Sequence, residues 1–115
     1  MKNLLFLITI LISSISFGQI IRPTVLGVTN GTINKDSLLV NPIIQTDPNI
    51  QLAKTSFVIH INGKRTYTHS FGPRLNQKCL ALIQKANSGD KITLGILSKP
   101  YKGVSYNWVM KLTLE

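Results

Sequence analysis

The side chains best suited to chemistry in this chain are one cysteine, Cys79, and two histidines, His60 and His69. A thiol can act as a nucleophile, a metal ligand or a bridge to another chain, and an imidazole can act as a base or bind zinc. Cys79 lies on an apolar stripe with Leu75 and Ile83 at helical spacing, which favours a small buried core residue over catalysis or bridging. Neither histidine has a Cys, Asp or Glu at ligand spacing, so no metal site is predicted.

Carboxylates are too few for most hydrolytic chemistry. The only acidic side chains are Asp36, Asp47, Asp90 and Glu115. Glycosidases and similar enzymes need a convergent carboxylate pair, and Asp90 follows Gly89 in a way that is typical of a turn. No Gly-x-Ser-x-Gly elbow and no phosphate-binding glycine loop occurs in the sequence. We therefore predict a protein without catalytic residues and without a cofactor.

The first eighteen residues have the pattern of a secretory signal peptide. Lys2 precedes an apolar run over residues 4–12, and the small residues Ser16 and Gly18 follow. The run is shorter than the roughly 20 apolar residues that a membrane-spanning helix needs. We expect residues 1–18 to be a signal peptide, residues 19–115 to form a single domain without a transmembrane span, and the protein to be periplasmic or secreted.

The chain is strongly basic, with 13 Lys and Arg against 4 Asp and Glu. Removal of the predicted signal peptide takes away Lys2 and lowers the formal net charge from +9 to +8. Such a charge favours acidic partners, either another envelope protein or an anionic polymer. Nucleic acid would satisfy the same charge, but it is not expected for an exported protein.

Two groups of residues are candidates for contact with an acidic partner. Lys64 and Arg65 lie at the tip of a predicted hairpin, and Lys99, Tyr101 and Lys102 lie in a loop over residues 98–105. The loop combines cations with an aromatic side chain that we expect to be exposed, which is a common arrangement for contact residues on a rigid scaffold. The alternative is that these cations are ordinary solvated surface residues that bind no partner.

Period-two patterns predict strands over most of the chain. The clearest is at the C-terminus, where Tyr106, Trp108, Met110, Leu112 and Leu114 share one parity and should form a core face. Residues 54–61 and 91–96 alternate in the same way, and an apolar stripe over residues 75–86 predicts one short helix.

The dipeptide Asn62-Gly63 predicts a β-hairpin, with residues 64–70 returning antiparallel. A two-residue loop pairs His60 with Arg65, whereas a three-residue loop pairs Phe57 with His69. A one-residue slip exchanges the two faces, so the sequence leaves open which histidine is exposed.

Residues 37–40 and 43–46 are apolar runs on either side of Asn41-Pro42, and we expect one edge strand broken by the proline. A further short strand is expected within residues 24–28. Six or seven short strands with one helix predict a mainly β fold, an antiparallel Ig-like β-sandwich.

Several segments carry a family resemblance: residues 27–33, 56–61, Gly72, 82–86, 88–92 and 111–114. They resemble the C-terminal domain of GldM, the periplasmic stator protein of Bacteroidetes gliding motility and type 9 secretion. The resemblance covers about residues 25–114. It implies an Ig-like domain that contacts other proteins and has no catalytic residues. The transmembrane helix and stalk domains that precede this module in GldM have no counterpart here, so motor function is not implied.

We therefore expect an exported, non-enzymatic protein-interaction or scaffolding module at the bacterial cell envelope. The alternative is a secreted basic effector or inhibitor that binds an anionic polymer or an acidic protein. The sequence leaves open the identity of the partner, the oligomeric state and any bridge from Cys79 to another chain.

Overall fold

A computed structural model describes residues 20–115, so the predicted signal peptide lies outside the described residues. The described part contains seven strands and two helices. In chain order they are β1 (Thr24–Val25), β2 (Gly31–Ile33), α1 (Lys35–Val40), β3 (Ile44–Gln45), β4 (Leu52–Ile61), β5 (Lys64–Ser70), α2 (Gln77–Lys85), β6 (Lys91–Ser98) and β7 (Asn107–Leu114). Neither helix is long and apolar enough to cross a membrane.

One five-stranded sheet organises the molecule. Its strand order is β2-β7-β6-β4-β5, and every pairing is antiparallel except that of β2 with β7, which is parallel. β1 and β3 form a separate two-stranded antiparallel ladder. The predicted mainly β, largely antiparallel fold is therefore confirmed.

The hairpin between β4 and β5 has the two-residue loop. Asn62 has φ 52° and Gly63 has φ 77°, the left-handed conformations that a type I′ turn requires. His60 pairs with Arg65, as the two-residue alternative predicts, and Ser56 pairs with His69. Because residues 56 and 60 have the same parity, both histidines lie on the same face of the sheet, and both are exposed.

The opposite face of the sheet is the core face. Its apolar side chains are almost fully buried: Phe57 and Ile59 of β4, Ile92, Leu94 and Ile96 of β6, and Met110, Leu112 and Leu114 of β7. The predicted core parity of the last strand is thus confirmed from Met110 onwards. Tyr106 and Trp108 have the same parity but are only half-buried, because they lie where β7 begins.

Helix α2 confirms the prediction of a helix within residues 75–86. Asn76 caps its first turn by accepting a 3.0 Å hydrogen bond from the backbone N–H of Cys79. Cys79 and Ile83 are fully buried, and the helix packs against β4 and β5. The predicted stripe therefore faces the sheet.

The prediction of a single helix is wrong, because residues 35–40 form α1 rather than part of an edge strand. Asn34 is the N-cap, and its side-chain oxygen accepts a 2.9 Å hydrogen bond from the N–H of Ser37. Only Leu38 of this helix is fully buried. What remains of the predicted edge strand is β3, two residues long, after Pro42.

The layer that covers the core face differs from the one expected for a sandwich. It consists of α1, α2 and the β1–β3 ladder, whose buried side chains Leu38, Cys79, Val25 and Ile44 join the core of the five-stranded sheet. An Ig-like sandwich needs a second sheet at this position. The specific Ig-like arrangement is therefore not confirmed.

Candidate functional site

The predicted contact residues lie at opposite ends of the five-stranded sheet. Lys64 and Arg65 follow the β4–β5 turn, whereas the loop with Lys99 and Lys102 follows the far end of β6. The length of β6 between Lys91, which pairs with His60, and Ser98 places the two groups roughly 23 Å apart at 3.3 Å per residue. The two groups therefore do not form one site.

The loop over residues 98–105 contains a tight turn. Tyr101 and Val104 exchange backbone hydrogen bonds of 2.8 and 3.1 Å, and Lys102 and Gly103 both have positive φ. The Lys102 Nζ lies 5.4 Å from the centroid of the Tyr101 ring, within the range of a cation–π interaction. Tyr101 is half-buried and packs against the core, so the prediction of an exposed aromatic side chain here is wrong.

A broad surface on the described part of the molecule is the second face of the five-stranded sheet, which we call the outer face. It is formed by the alternate side chains of β4 to β7, and none of them is buried. Neither helix nor the β1–β3 ladder covers it. Its members are Lys54, Ser56, Val58, His60, Arg65, Tyr67, His69, Lys91, Thr93, Gly95, Leu97, Asn107, Val109, Lys111 and Thr113.

Strand register gathers most cations of the outer face at one end, whereas Lys54, which pairs with Leu97, lies at the other. Arg65, His60 and Lys91 are direct neighbours across β5, β4 and β6. Lys111 pairs with Thr93, one row further along the same face. Four side chains from four strands, three of them Lys or Arg, thus form a compact basic group.

No acidic residue offsets this basic group within the sheet. The sequence contains no Asp or Glu between residues 48 and 89, and none between 91 and 114. The strands β4 to β7 therefore carry only positive charge and neutral side chains. Because like charges on one face add their potentials, the outer face attracts anionic groups more strongly than scattered surface lysines would.

Apolar side chains interrupt the charge on the same face. Tyr67 is 58% exposed and Val109 is 62% exposed, and Leu97 is also exposed. Just beyond β5, the ring of Phe71 meets that of His69 edge-on, with centroids 5.3 Å apart. Exposed aromatic and aliphatic groups among cations are typical of surfaces that contact proteins, because they add apolar burial to electrostatic attraction.

The thiol of Cys79 lies on the opposite side of the sheet from the outer face. Cys79 is fully buried on the core side of the sheet, whereas His60 and His69 lie on the outer face. Burial raises the pKa of the Cys79 thiol, which keeps it in its unreactive neutral form. Within residues 20–115, no group of three or more His, Cys, Asp or Glu side chains is placed to hold a metal ion.

Comparison with known proteins gives no relative for this chain. No protein-family model, curated protein or solved structure matches it. The resemblance to the C-terminal domain of GldM therefore remains a hypothesis based on the segments named above.

Arg65 is the one predicted contact residue that belongs to the outer face. Sequence reasoning missed Lys91 and Lys111, although both lie opposite in parity to the buried residues of their strands. That parity was a usable signal for their exposure. Their proximity was not predictable, because it depends on which strands are neighbours in the sheet.

Proposed function

We propose that this chain is an exported, non-enzymatic protein-interaction module of the bacterial cell envelope, and that it binds an acidic partner protein through the outer face. The observation that carries the proposal is the composition of this face: Arg65, Lys91 and Lys111 beside the exposed Tyr67 and Val109, with no carboxylate in β4 to β7. Charge complementarity selects an acidic partner, and the apolar groups provide area that becomes buried on contact.

The cellular location rests on the N-terminal sequence and on the resemblance to GldM. In that family the C-terminal domain works by contacting other envelope proteins, and an Ig-like arrangement would accompany that relationship. Both are proposals for this chain. The shape of the outer face favours a partner protein over a small substrate, since this face is broad and the described residues leave it uncovered.

The alternative is a secreted basic effector or inhibitor that binds an anionic polymer. The clustering of Arg65, Lys91 and Lys111 favours it, because phosphate or sulfate groups could bind to cations alone. Polymer binding should weaken steeply with salt, since it depends on counterion release. Binding of a protein that also buries Tyr67 and Val109 should persist in part at about 0.5 M salt, where exposed charges are largely screened.

Charge reversal tests the proposal against the loop prediction. The purified protein is immobilised and used to capture a partner from solubilised envelope proteins, in three forms: unchanged, Lys91→Glu/Lys111→Glu, and Lys99→Glu/Lys102→Glu. The two double variants carry the same net charge, so they control for the overall field. We expect the first to reduce capture about tenfold or more and the second to have little effect.

The outcomes separate the candidates. Loss of capture only in the Lys99→Glu/Lys102→Glu variant would transfer the site to the loop over residues 98–105. Equal loss in both variants would indicate a response to net charge, as for a polymer. No captured acidic protein, or capture that neither variant changes, would overturn the proposal.

A further inference from the structure

The strand β5 lies at one edge of the five-stranded sheet and pairs only with β4. It is seven residues long, contains no proline, and keeps an unbroken register with β4 from Lys64 to Ser70. A strand of this length with one unpaired side offers backbone donors and acceptors to another chain.

The turn fixes which residues face the unpaired side. In a hairpin with a two-residue loop the closing pair, here Ile61 and Lys64, is hydrogen-bonded, and bonded pairs then alternate along the ladder. Arg65, Tyr67 and His69 therefore direct their backbone groups away from β4. The structure supports this direction at His69, whose carbonyl accepts a 2.8 Å hydrogen bond from the Asn76 side chain on that side.

Asn76 limits the edge at one end and leaves the rest accessible. Its bond satisfies the carbonyl of His69, next to the start of α2. The N–H and C=O groups of Arg65 and Tyr67 remain without a strand partner among the described residues. The side chain of Tyr67, which lies among these backbone groups, is itself more than half exposed.

A groove runs beside this edge, between β5 and α2. One part, of about 430 Å³, is lined by Ile61, Lys64, Thr66, Leu82 and Lys85, together with Asn62. The next part, of about 310 Å³, is lined by Thr68, His69, Asn76, Gln77 and Lys78. Because side chains of a strand alternate in direction, every second side chain of an added strand would enter this groove.

We propose that the edge of β5 binds an extended acidic segment of the partner protein as an additional strand. The inference rests on the proposed function and specifies how the partner is held. Four cations border the edge and its groove: Lys64, Arg65, Lys78 and Lys85. No carboxylate occurs between residues 48 and 89, so acidic side chains on the added strand meet only positive charge.

A second copy of this chain fits the edge less well. Its own β5 carries Lys64 and Arg65 and no acidic residue, so pairing of two copies would bring like charges together. Complementary charge therefore favours an acidic segment, and self-association is an outcome that the experiment must detect.

The test uses the purified protein and the synthetic peptide acetyl-Glu-Val-Glu-Thr-Glu-Val-Glu-amide, with a control peptide that has lysine in place of each glutamate. Amide hydrogen exchange is followed by NMR. In the protein alone, the amides of Arg65 and Tyr67 should exchange faster than those of Thr66 and Thr68. The acidic peptide should slow exchange at Arg65 and Tyr67 by about tenfold or more, and the lysine peptide should not.

Two variants isolate the backbone contribution. Tyr67→Pro removes one outward N–H without removing a bond to β4, and Tyr67→Ala removes the same side chain but keeps the N–H. We expect Tyr67→Pro to weaken peptide binding about tenfold relative to Tyr67→Ala. Circular dichroism and the melting temperature establish that both variants are folded; if Tyr67→Pro is not, the exchange pattern of the unchanged protein decides.

Four results would overturn the inference: no peptide binding by the folded protein, binding that protects the β6–β7 loop instead, equal binding of both peptides, or a concentration-dependent dimer that protects Arg65 and Tyr67 without peptide. The dimer would make a second copy the occupant. If envelope capture is lost in Lys91→Glu/Lys111→Glu but is the same in Tyr67→Pro as in Tyr67→Ala, the strand-addition mode fails while the proposed function stands.

Discussion

The ammonium of Lys35 donates a 2.7 Å hydrogen bond to the backbone carbonyl of Ala86, at the C-terminal end of α2. It donates a second bond, of 2.9 Å, to the carbonyl of Gln84. The last carbonyls of a helix have no partner within the helix, and a cation at this end also interacts favourably with the helix dipole. A residue of α1 thus completes the end of α2 and joins the two helices that cover the core face.

Removal of this cation should loosen the helical layer. We expect Lys35→Met to lower the free energy of unfolding by about 1 kcal/mol, because the carbonyls at the end of α2 lose their charged donor. Urea unfolding measures the change. Lys78→Met, at an exposed position in the first turn of α2, is the matched control and should change stability little. Equal effects of the two variants would contradict the capping role.

Trp108 should contribute less to stability than its size suggests. It stacks on Tyr106 with centroids 5.5 Å apart, but it is only half-buried at the start of β7. We expect Trp108→Ala to cost about 2 kcal/mol, against about 4 kcal/mol for Phe57→Ala, whose side chain is fully buried. Denaturant unfolding of both variants gives the comparison. A larger loss for Trp108→Ala than for Phe57→Ala would contradict the placement of the centre of the core around Phe57.

The thiol of Cys79 should resist labelling and make stability depend on alkaline pH. Burial raises its pKa, so the folded protein keeps the proton above the ordinary value of 9.0, where the unfolded chain releases it. The free energy of unfolding should therefore fall as the pH rises above 9.0. Cys79→Ala should show a shallower decline, and Ellman's reagent should react with the unchanged protein only after unfolding. Rapid labelling of the folded protein would refute the burial.

Asp47 should contribute to stability against acid. Its carboxylate accepts hydrogen bonds from the backbone N–H of Asn49 at 3.0 Å and of Ile21 at 3.2 Å, and these bonds lower its pKa. Above the ordinary value of 3.8 this stability is fully present; as the pH falls below 3.8, the unfolded chain binds a proton first and the stability is lost. Asp47→Asn should reduce this loss of the free energy of unfolding, as measured by urea unfolding between about pH 5 and pH 2. If the variant loses stability at low pH as the unchanged protein does, other groups cause the acid sensitivity.

The export prediction has a direct measurement. N-terminal sequencing of protein recovered from outside the cytoplasm should begin at Gln19, because cleavage is predicted after Gly18. Exported protein that still begins at Met1 would contradict the signal peptide.

Local patterns explain why much of the fold was predictable. Asn62-Gly63 and the alternation on either side of it indicate the β4–β5 hairpin, and the stripe through Cys79 and Ile83 indicates α2. In each case residues that are close in sequence determine the structure. The helix α1 was missed because Leu38, Leu39 and Val40 form a continuous apolar run that suits a strand as well as a helix. The overlooked signal was Asn34, a good N-cap residue three positions before Ser37.

Long-range pairing explains what could not be predicted. The outer face depends on β5, β4, β6 and β7 being neighbours in that order, and the parallel pairing of β2 with β7 joins residues about eighty positions apart. Neither arrangement has a local signature. The parity of Lys91 and Lys111 was a usable signal for their exposure, but only the strand order brings them together with Arg65.

The position of β7 has a consequence for how the chain acquires its structure. This strand follows all the others in sequence, yet it lies inside the sheet, between β2 and β6. During synthesis β2 can find no neighbour until residues 112–114 have emerged, so the earliest segments must wait for the latest ones. Such remote contacts slow the search for the native state, and they leave strand edges open to wrong partners in the meantime.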